Sequence, residues 1–111
     1  AAAKDLQDNG SACKLTGLGL PSEMLEYTGA DDEHSCPYFY LWDMQGLGKL
    51  SALTTIALIN DEITGAADET FTAGDLGDYT ITEADDGGTE VVLGAPLEFN
   101  PDNIEEMAKL Y

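Results

Sequence analysis

The spacing of hydrophobic and polar positions changes several times along the chain, and each change predicts an element. Residues 1–8 follow a helical pattern. Residues 14–20 and 37–42 are short, mostly apolar runs of the kind that form buried strands. A helical pattern follows each run, over residues 22–27 and over residues 47–60. The order strand, helix, strand, helix is typical of a βαβ unit with parallel strands.

The helix predicted over residues 47–60 is the longest element. Ile56 and Ile59 widen its apolar stripe, so we expect the helix to be covered on most sides. The stripe itself consists of Leu47, Leu50, Leu53, Thr54, Ala57 and Leu58.

After residue 70 the pattern changes to the period-two alternation of strands. Asp85-Asp86-Gly87-Gly88 lies inside this region and predicts a hairpin turn. The last residues predict another helix, with Asn100 as its N-cap and Pro101 at its first position. The chain therefore combines an α/β body with an antiparallel excursion.

The length of 111 residues suits one domain of modest size. No apolar run approaches the roughly 18 residues that indicate a membrane span, so we expect no membrane insertion. No signal segment opens the chain, and its first residues read as the interior of a helix without a cap. We therefore expect it to be a piece of a longer protein.

The charge balance is strongly acidic. Lys and Arg total 4, Asp and Glu total 22, and the net charge is −18. Such a surface repels nucleic acid and anionic membranes. Disorder, a calcium site and adaptation to high salt are the three explanations. The apolar periodicities argue against disorder, and salt adaptation is favoured because a Debye length of about 3 Å in molar salt removes most carboxylate repulsion.

Trp42 and Asp43 end the second predicted strand, where open α/β sheets bind their ligands. The indole can stack on a sugar face, and the carboxylate can accept hydrogen bonds from hydroxyl groups. Alternatively, Trp42 belongs to the core and Asp43 caps the next helix. Pro21 and Ser22 form the neighbouring loop, whose backbone N–H groups either hold a ligand oxygen or merely open a helix.

Metal binding and catalysis have little support. The acidic loops at residues 31–34 and 85–88 lack the spacing of a calcium loop, and a solvated surface is the favoured interpretation. No nucleophile elbow, phosphate loop or dinucleotide fingerprint is present. We expect no metal, no cofactor and no enzymatic activity.

The two cysteines, Cys13 and Cys36, each precede a strand-like run. If those runs are parallel neighbours, both sulfurs lie at the same end of the sheet and a disulfide is plausible in an oxidising compartment. The alternative, two thiols that do not pair, is equally favoured.

Four segments together resemble the C-terminal part of sugar-binding proteins from ABC importers, of the rhamnose-type and autoinducer-2-type branch. They are LTGLGLPSEM, CPYFYLWDMQGLGKLSA, ALINDEITG and VVLGAPLEFNPDNIEEM. The resemblance covers nearly the whole chain. It implies Rossmann-like parallel sheet elements with flanking helices plus a β-hairpin, as the C-terminal fragment of a two-lobed, type 1 periplasmic-binding-protein fold.

The resemblance also implies how the chain divides between the lobes. Residues 1–42 and 100–111 would belong to the second lobe, and residues 44–95 to the first. The chain would cross between lobes near residues 43–44 and again near residues 96–99.

As function, the resemblance implies the solute-binding component of an ABC sugar importer. Rhamnose, autoinducer-2 or a similar sugar would be bound near Pro21, Ser22, Trp42 and Asp43 and delivered to permease subunits. The location would be extracytoplasmic, either periplasmic or membrane-anchored on the outer face of the cell membrane. The alternative is the sugar-sensing effector domain of a transcription regulator with the same fold, which the charge and the cysteines mildly disfavour.

Overall fold

The computed structural model describes all residues from 1 to 111. The chain separates into two compact units, residues 1–42 with 96–111 and residues 43–95. Its helices are α1 (Ala2–Asp8), α2 (Pro21–Met24), α3 (Met44–Ile59) and α4 (Ile104–Met107). Its strands are β1 (Phe39–Leu41), β2 (Thr70–Thr72), β3 (Asp78–Thr80), β4 (Thr82–Glu83), β5 (Thr89–Glu90) and β6 (Leu97–Phe99). The helices all fall short of the length and apolar character that a membrane crossing needs.

The core of the first unit forms around an antiparallel pair of strands, β1 and β6. Phe39 lies opposite Phe99 in this pair, with ring centroids 5.1 Å apart, and both side chains are fully buried. Cys36 and Ile104 complete the buried cluster, against which Met24 of α2 packs. The first unit therefore depends on residues from both ends of the chain.

Parallel pairing in this unit is limited to two bridges, Leu18 with Tyr40 and Thr28 with Cys36. The Tyr40 amide donates to the Gly17 carbonyl (2.9 Å), and the Gly19 amide donates to the Tyr40 carbonyl (3.2 Å). The predicted strand at 14–20 is thus an extended segment with a single bridge, consistent with its two glycines, which weaken strands.

The predicted strand at 37–42 is shorter and less buried than its apolar composition suggested. Only three residues are strand, and among them only Phe39 is buried. Tyr38 and Trp42 are 41% and 48% exposed. The expectation of burial on both faces is wrong for this chain, because Phe39 and Leu41 pack into the core while the alternate positions face away from it.

The second unit packs helix α3 against its hairpins. Its buried cluster contains Leu50 and Ala57 from α3 and, from the following segments, Ile63, Phe71, Ala73 and Ile81. Ile56 and Ile59 are 50% and 75% exposed, so the expectation that α3 is covered on most sides is wrong. The hairpins bury the face that carries Leu50 and Ala57, and the apolar stripe is wider than that face.

The hairpin turn predicted at residues 85–88 is confirmed. Strands β4 and β5 pair as Thr82 with Glu90 and Glu83 with Thr89. Gly87 has φ +84°, a conformation that suits glycine, and its amide donates to the Ala84 carbonyl (3.0 Å). A second hairpin, β2 with β3, precedes this one.

The turn after Ile63 is organised by the carboxylate of Glu69. It accepts hydrogen bonds from the amides of Thr64, Gly65 and Ala66 (2.8, 2.9 and 3.0 Å) and from the Thr64 hydroxyl (2.9 Å). These donors, the Thr64 amide first, hold the pKa of Glu69 below its ordinary value.

The C-terminal helix begins later than predicted. Helix α4 starts at Ile104 with Asn103 as its N-cap, whereas the sequence pattern placed the cap at Asn100. The Asn100 side chain accepts from the Asp102 amide (3.0 Å), so it caps the turn that leads into the helix. Ile104, the first residue of α4, faces the core and is 3% exposed.

Candidate ligand-binding site

One edge of the first unit gathers two of the predicted contact segments. The bridge between Leu18 and Tyr40 is parallel, so the two paired segments run in the same direction and end at the same edge. The segment after Leu18 continues into α2 through Leu20, Pro21 and Ser22, and β1 continues into Trp42. Carboxyl ends of parallel strands are where open α/β folds bind ligands.

At this edge Pro21 and Ser22 have different roles. Pro21 is the first residue of α2 and is fully buried. Its ring fixes how α2 begins, and the ligand contact predicted for Pro21 stays a prediction. Ser22 is exposed. The amides of Glu23 and Met24 both donate to the Leu20 carbonyl (3.0 Å each).

Trp42 lies at the end of β1 with nearly half of its surface exposed, 48%. The alternative that Trp42 is a core residue is therefore wrong for this chain. An exposed indole offers a flat apolar face and an N–H donor, which are groups that binding pockets for small polar ligands use.

The alternate positions along β1 form an aromatic face that the sequence reasoning did not single out. Tyr38 and Tyr40 are in edge-on contact, with ring centroids 5.9 Å apart. The Tyr40 hydroxyl donates to Glu98 on β6 (2.9 Å), and this hydrogen bond raises the pKa of Tyr40. The alternating spacing of Tyr38, Tyr40 and Trp42 in the sequence could have predicted this aromatic face.

Asp43 is the first residue of the second unit and the N-cap of α3. Its Oδ1 accepts a hydrogen bond from the Gly46 amide (2.9 Å), so the capping role predicted for it is confirmed. The side chain is partly exposed. Capping holds the carboxylate in one orientation, which is compatible with a second role as a ligand contact.

The acidic loop at residues 31–34 is held by its own hydrogen bonds. Asp31 Oδ1 accepts from the amides of Glu33 and His34 and lies 2.7 Å from His34 Nδ1. The hydrogen bond from His34 is the main cause that lowers the pKa of Asp31. Lys14 Nζ donates to the carbonyls of Asp31, Asp32 and His34 (3.1, 3.3 and 2.7 Å). The chain contains no cluster of three or more histidine, cysteine or acidic side chains arranged to hold a metal ion.

The two cysteines are free thiols in the structure. Cys13 is exposed, whereas Cys36 is buried in the first unit's core with its Sγ 3.4 Å from the Tyr38 carbonyl. The disulfide considered from their spacing is therefore absent, and burial raises the pKa of the Cys36 thiol.

No protein-family profile and no curated protein matches the chain. Solved structures do match it. An ABC transporter solute-binding protein from Clostridium phytofermentas, with bound L-rhamnose, is 58% identical to the chain with a TM-score of 0.82. The match covers 99% of this chain and 36% of that protein.

A sugar ABC transporter protein from Actinomyces odontolyticus is 38% identical, with a TM-score of 0.77 over 94% of this chain and 32% of that one. The chain thus spans about a third of the length of these relatives. Both relatives are proteins of ABC transporters, and the first is a solute-binding protein, a class that binds its ligand without catalysis. The chain therefore carries part of the α/β fold of ABC-transporter solute-binding proteins, and this confirms both the resemblance and the predicted fold class.

Proposed function

We propose that the chain is the C-terminal part of the solute-binding component of an ABC sugar importer. The observation that carries the proposal is the 58% identity, over 99% of the chain, to a solute-binding protein with bound L-rhamnose. The proposed role is reversible binding without catalysis.

The proposed ligand contacts are Trp42, Asp43 and Ser22. Trp42 offers an exposed indole face, Ser22 a hydroxyl at a helix end, and Asp43 a carboxylate held by the cap of α3. Aromatic stacking with charge-assisted hydrogen bonds to hydroxyl groups suits a small sugar. We place L-rhamnose first in the substrate class and autoinducer-2 or a related deoxy sugar second.

The two units are proposed to belong to different lobes of the full-length protein. Residues 1–42 and 100–111 would lie in the second lobe, and residues 44–95 in the first. The units divide at Trp42–Asp43 and at Ala95–Pro96, which supports chain crossings at those points. Ligand would then stabilise a closed arrangement of the lobes.

The proposed partners are the sugar and the permease subunits of the transporter, and the proposed location is extracytoplasmic. The similarity to two ABC transporter proteins supports both proposals. Nucleic acid is not a proposed partner, because a net charge of −18 repels it.

The acidic surface is proposed to be an adaptation to high salt. Lysine side chains form ion pairs with Asp8 (from Lys4) and with Asp75 (from Lys49), and the chain has 4 basic residues against 22 acidic ones. Most of the remaining negative charge is therefore screened by solvent ions alone, which makes the salt dependence of stability the test of this proposal.

The test of the sugar site uses two substitutions of Asp43 in the full-length protein, with calorimetry against L-rhamnose. Asp43→Ser keeps a good N-cap but removes the carboxylate, whereas Asp43→Ala removes both. Loss of a hydrogen bond to a charged group costs about 1.5–3 kcal/mol, so we expect both variants to bind at least about tenfold more weakly.

The two variants separate binding from folding. We expect Asp43→Ser to melt close to the unaltered protein and Asp43→Ala to lose about 1 kcal/mol of stability. Unchanged rhamnose affinity in Asp43→Ser would remove Asp43 from the site. If the unaltered protein bound no sugar in a panel that includes L-rhamnose and autoinducer-2, the proposed function itself would fail.

A further inference from the structure

We infer that Gly46 is a positioning residue for the sugar site, because its missing side chain fixes where the Asp43 carboxylate lies. The inference rests on the proposed function, which makes Asp43 a ligand contact. Gly46 itself touches no ligand in this scheme and acts only through Asp43.

Asp43 and Gly46 approach each other unusually closely at the start of α3. Gly46 is buried, and its amide donates to Asp43 Oδ1 at 2.9 Å. A Cβ at position 46 would lie 2.8 Å from Asp43 Cγ and 3.4 Å from Oδ1, and closer still to Oδ2. Real Cβ atoms essentially never come closer than 3.0 Å to another atom, so a side chain at position 46 requires the Asp43 carboxylate to shift so that its Oδ2 and Cγ move away.

Helix capping alone does not require glycine at this position. In a capping box the third helical residue is usually glutamate or glutamine, both of which carry a Cβ. Glycine also destabilises a helix relative to alanine. The close approach of the carboxylate to Gly46 is therefore an additional constraint, beyond the cap itself.

Gly48 provides a matched control within the same helix. A Cβ at Gly48 would meet nothing within 4 Å, and the residue is exposed. Alanine at either position should raise helix propensity by a similar amount. A difference between the two alanine variants therefore reports the contact with Asp43.

The binding test compares Gly46→Ala and Gly48→Ala in the full-length protein, by calorimetry with L-rhamnose. We expect Gly46→Ala to weaken binding about tenfold, and Gly48→Ala to stay within about twofold of the unaltered protein. In an Asp43→Ser background, Gly46→Ala should cost no further affinity, because the carboxylate it displaces is already gone. An equal loss in both backgrounds, or equal affinity of the two single variants, overturns the inference.

Folding and positioning are measured without sugar. If Gly46→Ala fails to fold, the shorter serine side chain in Asp43→Ser/Gly46→Ala should restore folding, and failure to do so counts against the inference. The carbon-13 shift of the Asp43 carboxyl, from selectively labelled protein, should change in Gly46→Ala and not in Gly48→Ala. An unmoved shift overturns the positioning role. Because this readout needs no ligand, it stands apart from the case in which the unaltered protein binds no sugar.

Discussion

Two glycines that precede the candidate site, Gly17 and Gly19, should respond in opposite ways to alanine. A Cβ at Gly19 would lie 2.9 Å from Met24 Cγ and 3.6 Å from Phe39 Cδ2. Met24 packs on the buried cluster that contains Phe39, so it has little room to move. A Cβ at Gly17 would meet nothing within 4 Å.

The expected magnitudes follow from these contacts. Overpacking of a core costs about 1–3 kcal/mol, and we take about 2 kcal/mol for Gly19→Ala. Gly17→Ala should instead stabilise the protein by about 0.4–1 kcal/mol, because alanine restricts the unfolded chain. With a urea dependence of about 1.5 kcal/mol/M, the midpoint should fall by about 1.3 M in the first variant and rise by about 0.3–0.7 M in the second.

The assay is urea unfolding at constant salt, followed by tryptophan fluorescence. Trp42 is the only tryptophan of the chain and lies in the first unit, as do both glycines, so its emission reports the unit that is perturbed. Shifts of the same sign and size in both variants would refute the reasoning, because the close approach at Gly19 would then have no energetic consequence.

The remaining predictions concern pH and salt. The lowered pKa of Glu69 means that its contribution to stability is present above the ordinary value of 4.5 and is lost as pH falls through the lower, folded-state value. We expect Glu69→Gln to lower the melting temperature at neutral pH and to flatten its decline below pH 4.5, whereas Glu83→Gln, at an exposed position, should change neither. We also expect the melting temperature to rise between 0.1 M and molar salt, and circular dichroism and melting that do not change over this range would contradict salt adaptation.

Local signals in the sequence predicted the elements whose determinants are neighbours along the chain. The capping role of Asp43 and the turn at residues 85–88 each depend on residues within one turn or hairpin. The same signals could not show that Phe39 pairs with Phe99, because the choice of strand partner depends on contacts far apart in sequence.

The sequence pattern also could not predict that Trp42 is exposed or that Gly46 lies against the Asp43 carboxylate. An apolar run that contains tryptophan reads the same in the sequence whether the indole is buried or exposed in the fold. Gly46 is one of two glycines in α3, and only coordinates distinguish it from Gly48 by what surrounds the missing Cβ.

The division of the chain has a consequence for the order in which its parts form during synthesis. Every residue of the second unit's buried cluster lies between Leu50 and Ile81, so that cluster is complete once those residues have emerged. The first unit cannot form at that stage, because Tyr40 pairs with Glu98, which is synthesised 58 residues later. A nascent chain that ends near Ala95 would leave Phe39 without its partner Phe99 for as long as β6 is absent, and such transiently exposed apolar surface is prone to aggregation.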